Sequence, residues 1–292
     1  MPFLSIIVPT YNRAHLIKKT LISLLDQSFQ DYEIIVVDDG STDNTEEVVC
    51  SLQSPKIVYY KIVNGERAKA RNFGMQKATG KYINWFDSDD LALPHHCETI
   101  HDAAQTAQLP DIIRVNYELY NPITKKRKRI KHKKDIRTDI LKGNSFGTAS
   151  VIVKRDIALS NPFEECRNLS ASEDYELWLR LVSKYRFTCV DTVTNLLVEH
   201  KGRSVRTMSG QHDLEKRFLT LIHFALSNPE TTFMIGSSKK YFLMRNYLVL
   251  SVDLAYNRHK KKAVTYVWKA SKQHPLVFFQ RVFWATLKHL IF

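Results

Sequence analysis

Apolar residues in the first 120 positions fall into short unbroken runs separated by stretches with helical spacing. Residues 5–9 (SIIVP), 33–37 (EIIVV), 57–63 and 82–86 (YINWF) read as strands buried on both faces. Between them, residues 14–27, 42–52 and 67–78 read as helices; Leu16, Ile17, Leu21, Leu24 and Leu25 share one face of the first. Ser41 or Thr42 is a candidate cap for the second. Strands alternating with helices of this length predict an α/β fold, a largely parallel sheet covered on both sides. Residues 111–120 and 148–153 continue the strand pattern. A helix follows over 173–183, with Leu177, Trp178 and Leu181 on one face, and residues 187–198 are again extended. Beyond about Val205 the pattern turns to helices rich in aromatics and Lys/Arg, and a boundary is expected there.

Charge sharpens that boundary. The chain of 292 residues carries a formal charge of +13, of which residues 205–292 supply +10, with fourteen Lys/Arg against four acids. A second basic stretch, KKRKRIKHKKDIR, runs from Lys125 to Arg137, and the remaining N-terminal sequence is mildly acidic. Such basicity suits a polyanion or an anionic membrane surface, or simply a solvated face. The basic stretch has no interleaved aromatics, so single-strand nucleic-acid binding by stacking is poorly supported and a mobile solvated loop is expected. Residues 241–256 and 275–292 differ: large apolar and aromatic residues with a basic minority suit a helix in a membrane interface, or one packed on protein. No apolar run reaches the roughly 18 residues of a spanning helix, and nothing at Met1-Pro2-Phe3 resembles a signal peptide. Four cysteines without CxxC spacing fit reduced thiols rather than a zinc site or disulfides. A cytoplasmic protein, either free or peripheral on the membrane's inner face, is the expectation.

In open parallel sheets ligands bind at the carboxyl ends of strands, and four polar constellations fall there or at a helix start. They are Pro9-Thr10-Tyr11-Asn12-Arg13, Asp38-Asp39-Gly40-Ser41-Thr42-Asp43, Ala70-Arg71-Asn72 and Asp87-Ser88-Asp89-Asp90. Three carboxylates in four residues repel one another unless a cation or solvent screens them. Alone, DSDD suits a solvated acidic turn. After a buried strand, and matched by a second diacid at another strand end, it suits a hard divalent ion such as Mg2+ or Mn2+. Asp38 and Asp39 can accept hydrogen bonds from a base or ribose, and DDGSTD is also good helix-capping chemistry. The Arg71 guanidinium suits a diphosphate, or an exposed helical position. Neither GxGxxG after the first strand nor GxxxxGK[ST] occurs, which disfavours a dinucleotide-binding domain and a P-loop.

SIIVPTYNR, EIIVVDDGSTD, ARNFG with ATGKYI, WFDSDD and SEDYELWLR stand in the order and spacing of the family 2 glycosyltransferases, which the chain resembles from about Leu4 to Arg206. The resemblance implies a GT-A fold with a Rossmann-like, mostly parallel sheet and a helical C-terminal extension. It divides the chain into a catalytic domain over 1–205, with a nucleotide-binding half (about 1–120) and an acceptor half (about 121–205), and an extension over 206–292. It further implies a metal-dependent, inverting transfer from a nucleotide-diphosphate sugar, UDP-linked by expectation, to a glycan or lipid-linked acceptor in polysaccharide or glycoconjugate synthesis. Mn2+ or Mg2+ is the implied cofactor, and no nucleic-acid partner is expected.

By the same resemblance Asp39 reads the nucleobase, and Pro9, Thr10, Tyr11, Asp38, Arg71, Asp87 and Ser88 line the donor pocket. Asp87 and Asp89 correspond to the family's DXD, with Asp89 as the direct metal ligand. His200 and Arg203, in EHKGRS, correspond to its closing segment, His200 as a metal ligand and Arg203 near the diphosphate. Arg67, in NGERAK where a glycine is usual, either adds a phosphate contact or faces solvent. Asp174 corresponds to the catalytic base, with Glu173 as the runner-up. Ser170 or Ser172 can cap the following helix, and its first turn favours a negative charge at Asp174. Two rivals remain at this stage: a sugar-nucleotide nucleotidyltransferase, and a basic nucleic-acid-binding protein without catalysis.

Overall fold

The computed structural model describes residues 1–130, 135–200 and 211–291. Its contacts divide into two units: Met1–His132, Phe146–Glu165 and Tyr185–His200 form one, and Lys133–Ser145, Cys166–Lys184 and Lys201–Phe292 the other.

The first unit is built on a sheet of nine strands among the described residues. These are β1 (Leu4–Thr10), β2 (Tyr32–Asp38), β3 (Ile57–Lys61), β4 (Tyr82–Trp85), β5 (Leu91–Ala92), β6 (Ile112–Tyr120), β7 (Arg127–Arg129), β8 (Val151–Lys154) and β9 (Phe187–Val198). Their order is β3-β2-β1-β4-β8-β6-β9-β5, with β7 beside β6. The strands β3, β2, β1 and β4 are mutually parallel, as the buried runs predict. Beyond β4 the direction changes, since β8 runs antiparallel to both β4 and β6.

Alternation along β1 explains why its apolar run is unbroken. Ile6 and Val8 join a core with Ile34, Val36, Ile17, Leu21 and Leu24, the last three from α1 (Ala14–Leu25). The same core takes Cys97, Ile100 and Ala104 from α4 (His96–Thr106). Ile7 and Val37 face the other way, toward α3 (Glu66–Lys77). Both pleat surfaces are therefore apolar. Gly74 sets how closely α3 approaches, because a Cβ there would lie 2.4 Å from the Ile7 side chain. Between α1 and α3, α2 (Thr45–Cys50) starts three residues later than the capping pattern suggests, and Asp43 accepts the Thr45 N–H in place of Ser41 or Thr42.

The basic stretch differs from expectation in part. Arg127–Arg129, read as loop, pairs antiparallel with β6 as an edge strand whose three side chains are exposed. Arg129 donates to the Asp191 carboxylate at 2.6 Å. Residues 131–134 lie outside the described residues.

The second unit is helical: α5 (Ile136–Ile140), α7 (Glu173–Lys184), α8 (Gln211–Ser227), α9 (Pro229–Ile235), α10 (Lys239–Tyr256), α11 (Lys260–Gln273) and α12 (Arg281–Ile291). A short α6 (Arg155–Ser160) belongs to the sheet unit. Two apolar clusters organise the C-terminal helices, one around Leu214, Leu250, Leu254 and Tyr266, the other around Met244, Leu248, Val277 and Phe283. Among the described residues no helix is long and apolar enough to cross a membrane.

Candidate active site

In the sheet unit, β1, β2 and β4 are adjacent and parallel, so their carboxyl ends emerge together. Thr10 and Asp38 are register partners, and the Asp39 N–H donates to the Thr10 carbonyl at 2.8 Å. Among the described residues, the buried Thr10 Oγ1 has no hydrogen-bond partner. Pro9 is buried within β1, while Tyr11 is half exposed.

The two aspartates that follow β2 do different work. Asp38 is fully buried, and its carboxylate accepts from the Ser41 N–H at 2.7 Å and the Tyr59 hydroxyl at 2.6 Å. It holds the turn in which Gly40 takes φ +80°, a conformation glycine adopts without a Cβ clash. Asp39 accepts from the Gly65 N–H at 2.8 Å and the Asn64 amide at 3.1 Å. Burial pushes its carboxyl up from the usual range, against the lowering effect of the Gly65 and Glu66 backbone donors. Asn12, at φ 50°, pins the same loop from the β1 side through Ser41 Oγ and the Thr42 N–H.

After β4, the Asp90 N–H donates back to the Asp87 carbonyl at 3.1 Å and closes a turn. Asp87, Asp89 and Asp90 bring carboxylate oxygens within 4.8 Å of one another. Two arginines offset this crowding, and a histidine lies beside them. Arg71 Nη2 donates to Asp87 Oδ1 at 2.8 Å, His200 Nε2 meets Asp89 Oδ2 at 2.7 Å, and Arg13 Nη1 lies 3.6 Å from that oxygen. Asp90 is buried and accepts the Val198 N–H, fixing the end of β9. Ser88 is buried between them. Arg71 is only 2% exposed, its guanidinium 5.1 Å over the Phe163 ring. The close seat that Gly74 gives α3 brings it there. Carboxylates are hard donors of the kind Mg2+ or Mn2+ takes, and Asp87, Asp89 and Asp90 form a group that could hold such an ion, with the His200 imidazole against Asp89. Arg203 lies outside the described residues.

In the helical unit, the Ser172 carbonyl accepts the Glu176 N–H at the start of α7. Glu173 is buried and Asp174 only partly so. Asp174 Oδ1 accepts from the Tyr175 N–H at 2.7 Å, and Oδ2 from the Asn144 amide at 2.8 Å. Asn144 sits on a loop held from two sides. The Tyr175 hydroxyl donates to the Ile140 carbonyl, and Arg245 donates twice to the Lys142 carbonyl at 2.9 and 2.7 Å. Sequence reasoning missed Asn144, because nothing marks a polar residue in an irregular stretch. It also placed Arg13 at the end of the first strand without giving it a role.

Residues 5–158 match the family model described as glycosyl transferase family 2. The chain belongs to that family. It is a glycosyltransferase, which sets aside the nucleotidyltransferase and nucleic-acid-binding alternatives. It is 30% identical over 191 residues to the UDP-Glc:alpha-D-GlcNAc-diphosphoundecaprenol beta-1,3-glucosyltransferase of Escherichia coli, covering 64% of this chain and 72% of that protein. Among curated rickettsial glycosyltransferases, the matched region spans from 27% of the Rickettsia bellii protein to 86% of the Rickettsia typhi one. Two solved structures share the GT-A fold. S. aureus TarS 1–349 in complex with UDP-GlcNAc has a TM-score of 0.69 at 17% identity, over 99% of this chain and 89% of that one. The Pyrobaculum calidifontis mannosyltransferase in complex with GDP-Man and Mn2+ has a TM-score of 0.57 at 17% identity, over 100% and 87%.

Proposed function

We propose that this glycosyltransferase moves a sugar, with inversion, from a UDP-sugar to a lipid-linked glycan. The observation that carries the donor reading is the convergence at the β1, β2 and β4 ends of the buried Thr10 hydroxyl, Asp39 and the Asp87/Asp89 pair. Asp39 accepts from the base, and Thr10 and Tyr11 flank the nucleoside against Pro9. Asp38 serves the site by holding the turn that presents Asp39. Asp87, Asp89 and His200 would hold Mn2+ or Mg2+, which neutralises the diphosphate when bound. Arg71 orients Asp87 from beneath and places a fixed positive charge beside it, with Ser88 shaping the turn and Arg203 assigned to the diphosphate.

Asp174 is the base. It is the accessible member of its pair, and Asn144 fixes one of its oxygens. As the acceptor hydroxyl attacks the anomeric carbon, its proton passes to the Asp174 carboxylate. The bond from that carbon to the diphosphate oxygen breaks on the opposite side, and UDP leaves. The UDP-glucose and diphosphoundecaprenol-linked acceptor named for the E. coli relative support the choice of donor and acceptor.

The test is turnover of UDP-glucose and UDP-GlcNAc with a lipid-diphosphate-linked sugar, followed by NMR of the product's anomeric carbon. Inverted configuration is expected. Retained configuration, or turnover confined to GDP-sugars, would overturn the reading.

A further inference from the structure

Residues 276–291 place large apolar side chains in solvent beside a buried apolar cluster. Phe278 is 55% exposed, Phe279 82% and Trp284 61%, yet Val277 and Phe283 beside them are buried in the Met244/Leu248 cluster. Phe283 packs edge-on against both Phe278 and Trp284, and Trp284 Nε1 donates to the Phe278 carbonyl at 3.0 Å. The aromatics are held outward by these contacts.

Along α12 the exposed residues are Arg281, Trp284, Lys288 and Ile291, at the three- and four-residue spacing of a single helical stripe. Cationic and apolar side chains alternate along it. On the exposed face of α11, Trp268 repeats the combination, with the Lys272 ammonium 3.5 Å over its ring. The sequence around these residues supplies +10 of the chain's charge.

A protein partner fits this stripe poorly. Interface cores are depleted in lysine, and a twofold contact between copies would set the stripe's cations against one another. An anionic bilayer suits both components. Aromatic rings favour the headgroup boundary, and Arg and Lys meet lipid phosphates just above it.

We infer that the Leu276–Ile291 surface seats this protein on an anionic membrane, with Phe279 and Trp284 inserted at the interface and Arg281 and Lys288 on lipid phosphates. This deepens the lipid-linked acceptor reading, since it brings the enzyme to the surface where such an acceptor lies.

The full chain is mixed with phosphatidylglycerol/phosphatidylcholine vesicles, with and without brominated acyl chains. Of the four tryptophans, Trp85 and Trp178 are buried, so Trp268 and Trp284 report contact. Brominated vesicles are expected to quench the fluorescence. Flotation should fall with salt and should be weak on pure phosphatidylcholine. The double variant Phe279→Glu/Trp284→Glu should lose roughly tenfold or more in vesicle affinity, whereas Phe233→Glu, at an exposed aromatic on α9, should not. UDP-sugar affinity in solution should be the same in all three proteins, so failure here is separable from failure of the donor assignment. No quenching of the unsubstituted chain would overturn the proposal. So would equal flotation of the double variant at an unchanged melting temperature, or a concentration-dependent dimer that the double variant dissolves without any vesicle binding.

Discussion

Each unit contains a buried arginine paired with an aspartate. Arg71 meets Asp87 at 2.8 Å in the sheet unit, and Arg217 meets Asp253 at 2.7 Å in the helical unit. Both arginines are nearly inaccessible and both aspartates keep partial contact with water. Their surroundings separate them. Asp89 and Asp90 crowd Asp87 at a strand end, whereas among the described residues no such acidic group forms around Asp253, although Glu173 and Asp174 act on its partner Arg217. Burial raises the Asp253 carboxyl and lowers the Arg217 guanidinium, and their mutual attraction opposes both shifts. A buried ion pair alone thus says little about function. The clustering of further carboxylates at a strand end is what sets the proposed binding site apart from the other pair.

The largest expected effect asks whether the helical unit also carries chemistry. Asp174→Asn should lower transfer by about a hundredfold to ten-thousandfold while leaving UDP-sugar affinity by calorimetry nearly intact. Glu173→Gln, at a buried position, should show mainly in a lowered melting temperature. Loss in the Glu173 variant with normal turnover in Asp174→Asn would move the base by one residue.

The two pairs can be set directly against each other. Arg71→Leu and Arg217→Leu each leave a carboxylate without its arginine and should cost about 3 kcal/mol or somewhat less in urea denaturation, given the water at each aspartate. Only Arg71→Leu should also weaken UDP-sugar binding. Equal binding losses would remove the distinction drawn between them.

His96 tests the packing beneath the site. It is fully buried between Thr194 Oγ1 at 2.8 Å and Asn84 Oδ1 at 3.0 Å, and burial lowers its pKa to about 3. The unfolded chain takes up this proton near pH 6.5 and the folded chain does not. Stability is therefore unaffected above pH 6.5 and should fall, by on the order of a few kcal/mol, between pH 6.5 and about 3. Denaturation midpoints of His96→Gln should show a shallower fall over that window.

The smallest effect falls on Asn144. Its amide fixes one oxygen of Asp174, so Asn144→Ala should lower kcat by about tenfold with donor KM unchanged. A merely structural Asn144 would lower the melting temperature and leave kcat where it is.

Much of the sheet unit was legible in advance, because a strand buried on both faces writes an unbroken apolar run such as SIIVP or EIIVV. The diacid ends followed from strand polarity. Less legible were pairings decided at long range. The antiparallel direction of β8 depends on how the chain returns from β6, which no local pattern encodes. Arg127–Arg129 carries no apolar face, and its strand character comes from an edge that β6 offers. The helix His96–Thr106 carries a weak local signal, since His101, Asp102 and Gln105 dilute its apolar stripe. In the site, Asp38 and Asp39 look alike in sequence, and their different tasks emerge only from the partners each one meets. Asn144 reaches Asp174 through tertiary packing of the Ile140–Ser145 loop, which short-range spacing cannot signal.

The central claim is that Asp87 and Asp89 hold a divalent cation that binds the donor diphosphate, and isothermal calorimetry of UDP-glucose and UDP-GlcNAc tests it most directly. Binding of at least one should require Mn2+ or Mg2+ and disappear in EDTA, because without the ion the carboxylates repel the phosphates. Asp89→Asn should weaken the metal-dependent binding by roughly tenfold or more. Equal affinity with and without the cation, or an unchanged affinity in Asp89→Asn, would contradict the account.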